Sequence, residues 1–378
     1  MRYWSMVLHF YQPPTQEVAI TKQILNSCYF PILHLLDHQS DFGLTLNLSG
    51  SLILQLQEMH EIEFFNLVRK LLAAGKIELL NSAVYHPIIP LTPSDVVDRQ
   101  IIRNGLQIKN FFGLVPEGFF PPELAIDQTS LDLIKNQFII IDQTSLDVKT
   151  PLAKFGSKYL LVNHRPVSEL LRSYPRKLSV QTVVDLVNKG CPDGGLLVTA
   201  NDAELFGHHY VERIRVLKDL LDQKDIKFIT ASQAISQFGD KATTVANILP
   251  STWQDCQQFA LWNKNDLQQN YLKLLAIGHD LTQNSQVYKV DDYLDQSYSS
   301  CYPYWLSNWP WWHPDLVQSG AKSLVTAVRI SQAAGAQKID MENHYYEFLN
   351  HLWQYQWSGQ VEANYQKYNH SPDKFLGI

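Results

Sequence analysis

The sequence contains few cysteines, and their spacing does not group them. The four cysteines among the 378 residues stand at positions 28, 191, 256 and 301, with no Cys-x-x-Cys pair. This scatter excludes a dense disulfide framework and indicates reduced, mostly buried thiols, as in a cytoplasmic protein.

The sequence also lacks an excess of positive charge and any long apolar run. Its formal charge is −6, which argues against a nucleic-acid partner, because such proteins carry a basic face. No apolar run approaches the length of a membrane span. The first ten residues are typical of a strand rather than a signal peptide, since they contain no small-residue cleavage site. We therefore expect a cytoplasmic protein with neither nucleic acid nor membrane as partner; its oligomeric state is left open.

The first 240 residues alternate short apolar runs with amphipathic stretches. This alternation predicts βα units around a parallel sheet and favours a closed barrel over an open sheet, both of which belong to the α/β class. Helices are expected at Glu61–Ala74, Ser94–Phe112 and Tyr210–Gln223. The predicted strands are Tyr3–Leu8, Gly43–Leu48, Ile77–Leu80, Gly118–Phe120, Phe138–Ile141, Tyr159–Val162, Leu196–Thr199 and Ile226–Ile229.

The character of the sequence changes after Pro250. Apolar residues at helical spacing predict helices within Gln254–Gln283, Gly320–Ala334 and Glu342–Tyr355. We therefore expect a catalytic domain at 1–244 and a helical subdomain at 245–378. The aromatic cluster at 298–312 is expected to form a loop that the subdomain contributes to the active site.

Polar groups follow several predicted strands, at the end where ligands bind in parallel α/β folds. His9 follows the first strand, Asn81 and His86 follow the third, and Glu123 and Asp202 come after two later strands. Two carboxylates at separate strand ends are what glycoside hydrolysis requires, one to protonate the leaving oxygen and one to attack or to activate water. Glu204 is two residues from Asp202, so in an extended segment both would face one side, and the neighbouring charge would help to keep Asp202 protonated.

Each of these residues has a purely structural alternative. Glu123 could stabilise a helix N-terminus, and Asp202 could cap the helix that follows it. His9 could be a hydrogen-bonded core histidine, and the aromatic cluster could be core. Their shared placement at strand ends favours the functional interpretation.

At these positions the sequence resembles glycoside hydrolase family 57, which contains 4-α-glucanotransferases, amylopullulanases and α-glucan branching enzymes. The resemblance covers residues 1–240 well and the remainder loosely. It departs at Tyr11, where a histidine is usual, and at Asn308, where an aspartate is common. The segments that carry the resemblance are His9–Pro13, Gly75–Glu78, Gly118–Ala125, Asp202–His208 and, more loosely, Leu306–Trp311.

The resemblance implies an incomplete (β/α)7 TIM-like barrel followed by a helical region. It also implies a retaining double displacement on α-linked sugars, without an obligatory metal or other cofactor. Glu123 would be the nucleophile and Asp202 the general acid/base. The expected sugar-binding residues are His9, Tyr11, Gln12, Glu78, His86, Glu204, His208, Asn308, Trp309, Trp311 and Trp312.

Two other functions stay open at the level of sequence. A metal-dependent polysaccharide deacetylase has a similar fold, and His9, His86, His208 and His209 could serve as ligands, although no Asp-Asp and His-x-x-x-His pattern accompanies them. A sugar-binding protein without catalysis would use the same polar and aromatic residues. The substrate is expected to be an oligosaccharide or polysaccharide, and the choice between hydrolysis and transfer is left open.

Overall fold

A computed structural model describes residues 1–172, 178–254, 258–283, 285–308 and 311–369. The chain divides into two compact units. The first contains residues 1–12, 16–84 and 93–253, and the second contains 13–15, 85–92 and the residues from 254 onward. None of the helices in the described ranges is long and apolar enough to cross a membrane.

The strands all belong to the first unit. Each predicted strand is present, and two short strands that the sequence pattern did not predict, β6 and β10, accompany them. The strands are β1 Arg2–Phe10, β2 Leu44–Leu48, β3 Ile77–Leu80, β4 Gly118–Phe119, β5 Phe138–Asp142, β6 Leu152–Phe155, β7 Lys158–Asn163, β8 Leu196–Asp202, β9 Ile226–Phe228 and β10 Thr243–Thr244.

The strands form two sheets that follow one another around an incomplete TIM-like barrel. One sheet has the order β3-β2-β1-β8, with β9 beside the start of β1, and the other has the order β10-β6-β7-β5-β4. A parallel bridge between Asn81 and Phe119 links β3 to β4. Just past β7, the backbone N–H of His164 donates to Val198 O of β8 at 2.8 Å. The predicted α/β barrel is therefore confirmed.

Helices surround the strands of the first unit. The predicted helix Ser94–Phe112 is found with those bounds, and it ends at Gly113, whose φ of 74° is readily adopted by glycine. The helices are α1 Val18–Ile24, α2 Phe30–His38, α3 Gly50–Glu58, α4 Ile62–Ala73, α5 Ser94–Phe112, α6 Gln128–Leu133, α7 Arg165–Arg172, α8 Val180–Gly190, α9 Arg213–Leu221 and α10 Ala231–Phe238. A π-helical turn, Leu25–Tyr29, joins α1 to α2.

The alternation of side chains along each strand determines which groups reach the barrel interior. In β1, Met6 and Leu8 pack in the core that the surrounding helices share, whereas Val7 belongs to a second cluster. That second cluster combines strand residues with Ala234 and Phe238, so α10 packs against the inward face of the strands. Because side chains alternate with a period of two, His9 shares the inward face of Val7.

The second unit is helical, as predicted for the C-terminal region. Helix α12 (Asp266–Thr282) begins with a capping box, in which the Asn265 side chain accepts a hydrogen bond from Gln268 N at 2.9 Å. At Gly278 of α12, a Cβ would lie 2.4 Å from Leu324, so glycine permits close contact with the later helix α15 (Pro314–Ile330). Its helices are α11 Ala260–Asn263, α12 Asp266–Thr282, α13 Tyr288–Ser297, α14 Cys301–Trp305, α15 Pro314–Ile330, α16 Gly335–Trp357 and α17 Gln360–Asn369.

The aromatic cluster at 298–312 is not simply the loop that the sequence predicted. Cys301–Trp305 forms the short helix α14, with Tyr302 buried against Gly320 of α15. Aromatic side chains with few charges among them gain more free energy from burial in a helical core than from exposure in a loop.

Candidate active site

Asp202 is the last residue of β8 and stands beside His9 in the parallel register of β1 and β8. Val198 and Ala200 belong to the interior cluster, so Asp202, two residues further, shares their face. Its side chain makes no hydrogen bond to the 3-10 turn that follows at Ala203–Leu205. The helix-capping alternative is therefore wrong, because the carboxyl group does not bind the backbone of the turn that follows it.

Burial, and next the negative charge of Glu123, raise the pKa of Asp202 to about 7, while the positive charge of Arg172 opposes that rise. The two carboxyl groups lie close enough to interact electrostatically, as a catalytic pair must. Asp202 is therefore largely protonated up to neutral pH and able to donate a proton there.

Glu123 lies four residues beyond β4, in the 3-10 turn Pro122–Leu124. Its φ of 58° lies in the left-handed region, which few residues other than glycine adopt. The indole Nε1–H of Trp253 donates to Glu123 Oε2 at 2.8 Å. No α-helix begins at Glu123, so the alternative of a carboxylate at a helix N-terminus is wrong.

Glu204 is buried within a second polar network next to Asp202. The Tyr29 hydroxyl donates to Glu204 Oε1, and Gln12 Nε2 donates to the same oxygen at 3.0 Å. Burial, and next the charge of Asp202, raise the pKa of Glu204 to about 8. Gln12 and Glu204, both expected to bind sugar, are thus bound to each other and to Tyr29.

One part of the sequence argument about Asp202 and Glu204 is wrong. The chain leaves the strand conformation after Asp202 and enters a 3-10 turn, so the two residues do not share an extended segment. Burial and Glu123 raise the pKa of Asp202, whereas Asp202 in turn raises that of Glu204. Glu123 is therefore a further carboxyl group that favours the protonated form of Asp202, and the charges of Asp202 and Glu204 interact as well.

His9 forms part of an aromatic group at the carboxyl end of β1. Its ring stacks on Phe120 at 4.8 Å and on Tyr11 at 5.6 Å, and Trp253 meets it edge-on at 6.0 Å. Burial lowers the pKa of His9 to about 4, so the ring is neutral. Its Nδ1 lies 2.6 Å from Asn47 Oδ1, an acceptor, so Nδ1 carries the proton.

The structure separates Glu78 from the other candidates in the first unit. Glu78 stands two residues before Leu80 on the inward face of β3, towards the amino end of the strand. Its carboxylate accepts from Ser232 N at 3.0 Å and from the Ser232 hydroxyl, at the start of α10. In this position Glu78 stabilises the N-terminus of α10, and its expected contact with sugar stays a prediction.

His208 lies at the end of the loop that carries Glu204. Its backbone N–H donates to Glu204 O at 3.2 Å, and its ring lies 5.2 Å from that of His209. Burial lowers the pKa of both imidazoles. Across the ranges that the structure describes, no three His, Cys, Asp or Glu side chains are grouped so as to hold a metal ion.

The remaining candidates belong to the second unit, apart from Trp309, which lies outside the described residues. His86 has a φ of 61° and its Nδ1 lies 3.0 Å from Ser300 Oγ. Asn308 also has a left-handed backbone, with φ of 65°. Trp311 is 47% exposed, whereas Trp312 donates from its indole to Gln356.

Sequence reasoning missed Trp253, Tyr29, Asn47 and Arg172. Trp253 follows the change of composition at Pro250, a signal that marks a boundary but not a contact with Glu123. Tyr29 lies in a helical stretch, and only the π-helical turn brings its hydroxyl to Glu204. Of these residues, only Asn47 could have been noticed in the sequence, because it is a polar residue within the apolar run of β2.

An incomplete TIM-like barrel with two interacting carboxyl groups beyond its strands has the parts that a glycoside hydrolase requires. The sequence model of glycosyl hydrolase family 57 matches residues 5–247. The chain belongs to glycosyl hydrolase family 57, and the resemblance identified from its motifs is confirmed.

Relatives with known names are distant. Alpha-amylase 1 of Dictyoglomus thermophilum is 27% identical over 121 residues, which cover 32% of this chain and only 18% of that relative. The 4-alpha-glucanotransferase of Thermococcus litoralis aligns with a TM-score of 0.71 at 14% identity, over 86% of this chain and 59% of its own. The branching enzyme of Thermococcus kodakaraensis gives 0.70 at 14% identity, over 92% and 94%. These structural likenesses show the fold.

Proposed function

We propose that the chain cleaves or transfers α-glycosidic bonds of α-glucans or related oligosaccharides by a retaining double displacement. Glu123 is the nucleophile and Asp202 the general acid/base. The observation that carries this proposal is the interaction of the two carboxyl groups, in which Glu123 helps to keep Asp202 protonated to about pH 7. Membership of a family of retaining enzymes that act on α-glucans supports it.

In the first step, a Glu123 oxygen attacks the anomeric carbon while Asp202 gives its proton to the departing glycosidic oxygen. The bond to the leaving sugar breaks as the bond to Glu123 forms. In the second step, Asp202 removes a proton from water or from a sugar hydroxyl, and that oxygen displaces Glu123. Water as acceptor gives hydrolysis, and a sugar hydroxyl gives transfer.

The surrounding residues divide into two groups under this proposal. His9 and Tyr11 offer a neutral imidazole and a phenol beside the carboxylates, suited to hydrogen bonds with sugar hydroxyls. Gln12 donates one hydrogen bond to Glu204, and the charge of Glu204 interacts with that of Asp202, so this pair supports the acid. The division into a catalytic domain at 1–244 and a helical subdomain that contributes its aromatic segment stays a prediction. So do the expected sugar-binding roles of Glu78, His86, His208, Asn308, Trp309, Trp311 and Trp312.

The names of the relatives include both a hydrolase and transferases. One is an amylase, another a glucanotransferase and a third a branching enzyme. The glucanotransferase is named for an α-glucan, which supports that substrate class for this chain and leaves the acceptor as the quantity to measure.

The first test compares Glu123→Gln with the wild-type protein on maltooligosaccharides and glycogen, with products resolved by chain length. Glutamine keeps the shape but is a far poorer nucleophile, so turnover should fall by about 10⁴-fold or more. Release of glucose or short chains by the wild type means hydrolysis, and a ladder of longer chains means transfer.

The matched control is Glu117→Gln, an exposed carboxylate just before β4 and therefore at the other end of the same strand. It should retain wild-type turnover. Substantial activity in Glu123→Gln would refute the catalytic assignment. A wild-type protein that binds these glucans, equally with and without Glu123, yet changes none of them would be a sugar-binding protein instead.

A further inference from the structure

Trp253 contacts both Glu123 and the aromatic group around His9. Its indole N–H donates to Glu123 Oε2 at 2.8 Å, while its ring meets Phe120 edge-on at 5.7 Å and His9 at 6.0 Å. Trp253 is 6% exposed. An indole N–H donates only, so this group can orient and stabilise a carboxylate but cannot exchange a proton with it.

The backbone on either side of this contact is held as well. Trp253 N and Thr252 Oγ1 both donate to Glu123 O, at 3.1 and 2.7 Å. Ile126 and Ser251 exchange two backbone hydrogen bonds of 3.0 Å. The segment 251–253 therefore runs antiparallel to 123–126 and maintains the left-handed backbone at Glu123 and at Leu124, which has a φ of 46°.

Segment 251–253 is in turn fixed by helix α7. Arg165 Nη2 donates to Thr252 O at 2.6 Å, and Arg165 Nε pairs with the fully buried Asp142 at 3.1 Å. Arg172, whose charge acts on Asp202, also reaches Trp253 O at 3.4 Å. Helix α7 therefore holds the backbone that carries the Trp253 indole, and through Arg172 it also limits the pKa of Asp202.

We propose that Trp253 is a positioning residue that orients the Glu123 carboxylate for attack on the anomeric carbon. This inference rests on the proposed role of Glu123 as nucleophile. The hydrogen bond holds one carboxylate oxygen in place and favours the ionised form, while the backbone contacts fix the direction from which the side chain enters the site. Trp253 thereby acts through Glu123 rather than on the proton that Asp202 transfers.

The test is Trp253→Phe, which keeps an aromatic ring and removes the N–H. The substrate is a maltosyl α-fluoride, whose leaving group departs without protonation. We expect kcat to fall about 10- to 100-fold, the effect of losing a hydrogen bond to a charged group, with little change in KM. With this fluoride, Asp202→Asn should regain the first step, seen as a rapid burst of fluoride release, although its second step still lacks the base. Trp253→Phe and Glu123→Gln should not regain the first step.

A second readout is the pH dependence of kcat for Trp253→Phe. A carboxylate that loses an N–H donor is protonated more readily, so the acidic limb should move to higher pH. A change in packing alone would lower the rate at every pH and leave that limb in place.

Trp4→Phe is the matched control. Trp4 is fully buried in the same unit, stacks on Phe228 and donates from its indole to Thr199 Oγ1 at 2.8 Å, yet it lies towards the amino end of β1. It should lose comparable stability and keep its kcat. If Trp253→Phe does not fold, substitution of Trp253 by benzothienylalanine, which replaces the N–H by sulfur within the same ring shape, provides the same comparison.

The outcomes separate the inference from the proposed function. Wild-type kcat in Trp253→Phe, with Glu123→Gln inactive, would overturn the positioning role and leave the nucleophile assignment intact. Equal losses of kcat in Trp253→Phe and Trp4→Phe would also overturn it. An active Glu123→Gln would refute the proposed function itself.

Discussion

Asp202 shows how one aspartate can acquire the properties of a general acid near neutral pH. Asp202 is half-buried, and its carboxyl group interacts with the charge of Glu123. Both effects disfavour its charged form. Arg172 limits the rise in pKa. An acid whose pKa lies near the working pH combines a useful protonated fraction with ready donation of its proton.

The pH dependence of kcat/KM follows from this arrangement. Asp202 must be protonated to act as an acid, so activity should fall as the pH rises through about 7, the pKa of Asp202. Because Glu123 and burial set that pKa, the basic limb should stay near pH 7 in Glu204→Gln, whatever the rate. Initial rates from pH 4 to 9 on a maltooligosaccharide measure both limbs. A basic limb that moves with Glu204→Gln would contradict the account and restore the carboxylate pair that the sequence suggested.

At the scale of single residues, the sequence could suggest site residues that have a reactive side chain and also stand just after a predicted strand. Glu123 and Asp202 follow strands and lie within motifs, so the sequence suggested both as candidates, and the structure brings their charges into interaction. Trp253 and Tyr29 act through hydrogen bonds to residues 130 and 175 positions away. Such contacts depend on the tertiary fold, and neither residue has a local pattern that reveals them.

The π-helical turn Leu25–Tyr29 illustrates the scale of an element. It lies between α1, which contributes Ile24 to the core that strands and helices share, and α2, which contributes Leu33 and Leu36. The turn aims Tyr29 at Glu204. Cys28 Sγ reaches Ala203 O at 3.0 Å, so the loop after Asp202 packs directly on the turn. Turns of this kind are frequent at functional sites because the extra residue redirects a side chain.

Gly207 permits this close packing. Its φ is 123°, and a Cβ there would lie 2.2 Å from the backbone oxygen of Ser27. Gly207→Ala should therefore push the loop that carries Glu204 away from the π-helical turn and lower the free energy of unfolding by about 1–3 kcal/mol beyond the backbone cost alone. Denaturant unfolding, together with turnover on maltooligosaccharides, measures the effect.

The control for this substitution is Gly194→Ala. Gly194 also has a positive φ, 73°, but no atom would lie within 4 Å of the added Cβ. Gly194→Ala should therefore lose the stability that a positive φ costs an alanine, but it should cause no steric clash. Equal stabilities and equal activities of the two variants would contradict the proposed contact between loop and turn.

Element prediction succeeded where the period of apolar residues was regular and failed where tertiary contacts decided the structure. The eight predicted strands and α5 follow directly from their patterns, whereas β6 and β10 were not predicted. Glu78 could not be placed, because its role depends on α10, a helix that packs against the inward face of strands distant in sequence. Trp305 and its neighbours were expected in a loop, because their own sequence gives no helical pattern. The burial that favours helix α14 comes from contact with α15, which the local sequence does not reveal.

At the scale of the molecule, the order of strands and helices was sufficient to predict a barrel followed by a helical region. The composition of the second unit was not predictable from sequence. Residues 13–15 and 85–92 belong to it although they lie within the span of the first unit. His86, which follows the third strand in sequence, is thereby a residue of the helical unit, hydrogen-bonded to Ser300.

The central claim is that Glu123 forms a covalent bond with the sugar. An α-glucosyl fluoride that carries a second fluorine at C5 tests it most directly, because the C5 fluorine slows both oxocarbenium-like steps while the fluoride leaving group favours formation of the intermediate. After proteolysis, mass spectrometry should find a sugar adduct on the peptide that contains Glu123, absent from Glu123→Gln and still formed by Asp202→Asn. An adduct on another carboxylate, or turnover with inversion at the anomeric carbon and no adduct, would contradict the account.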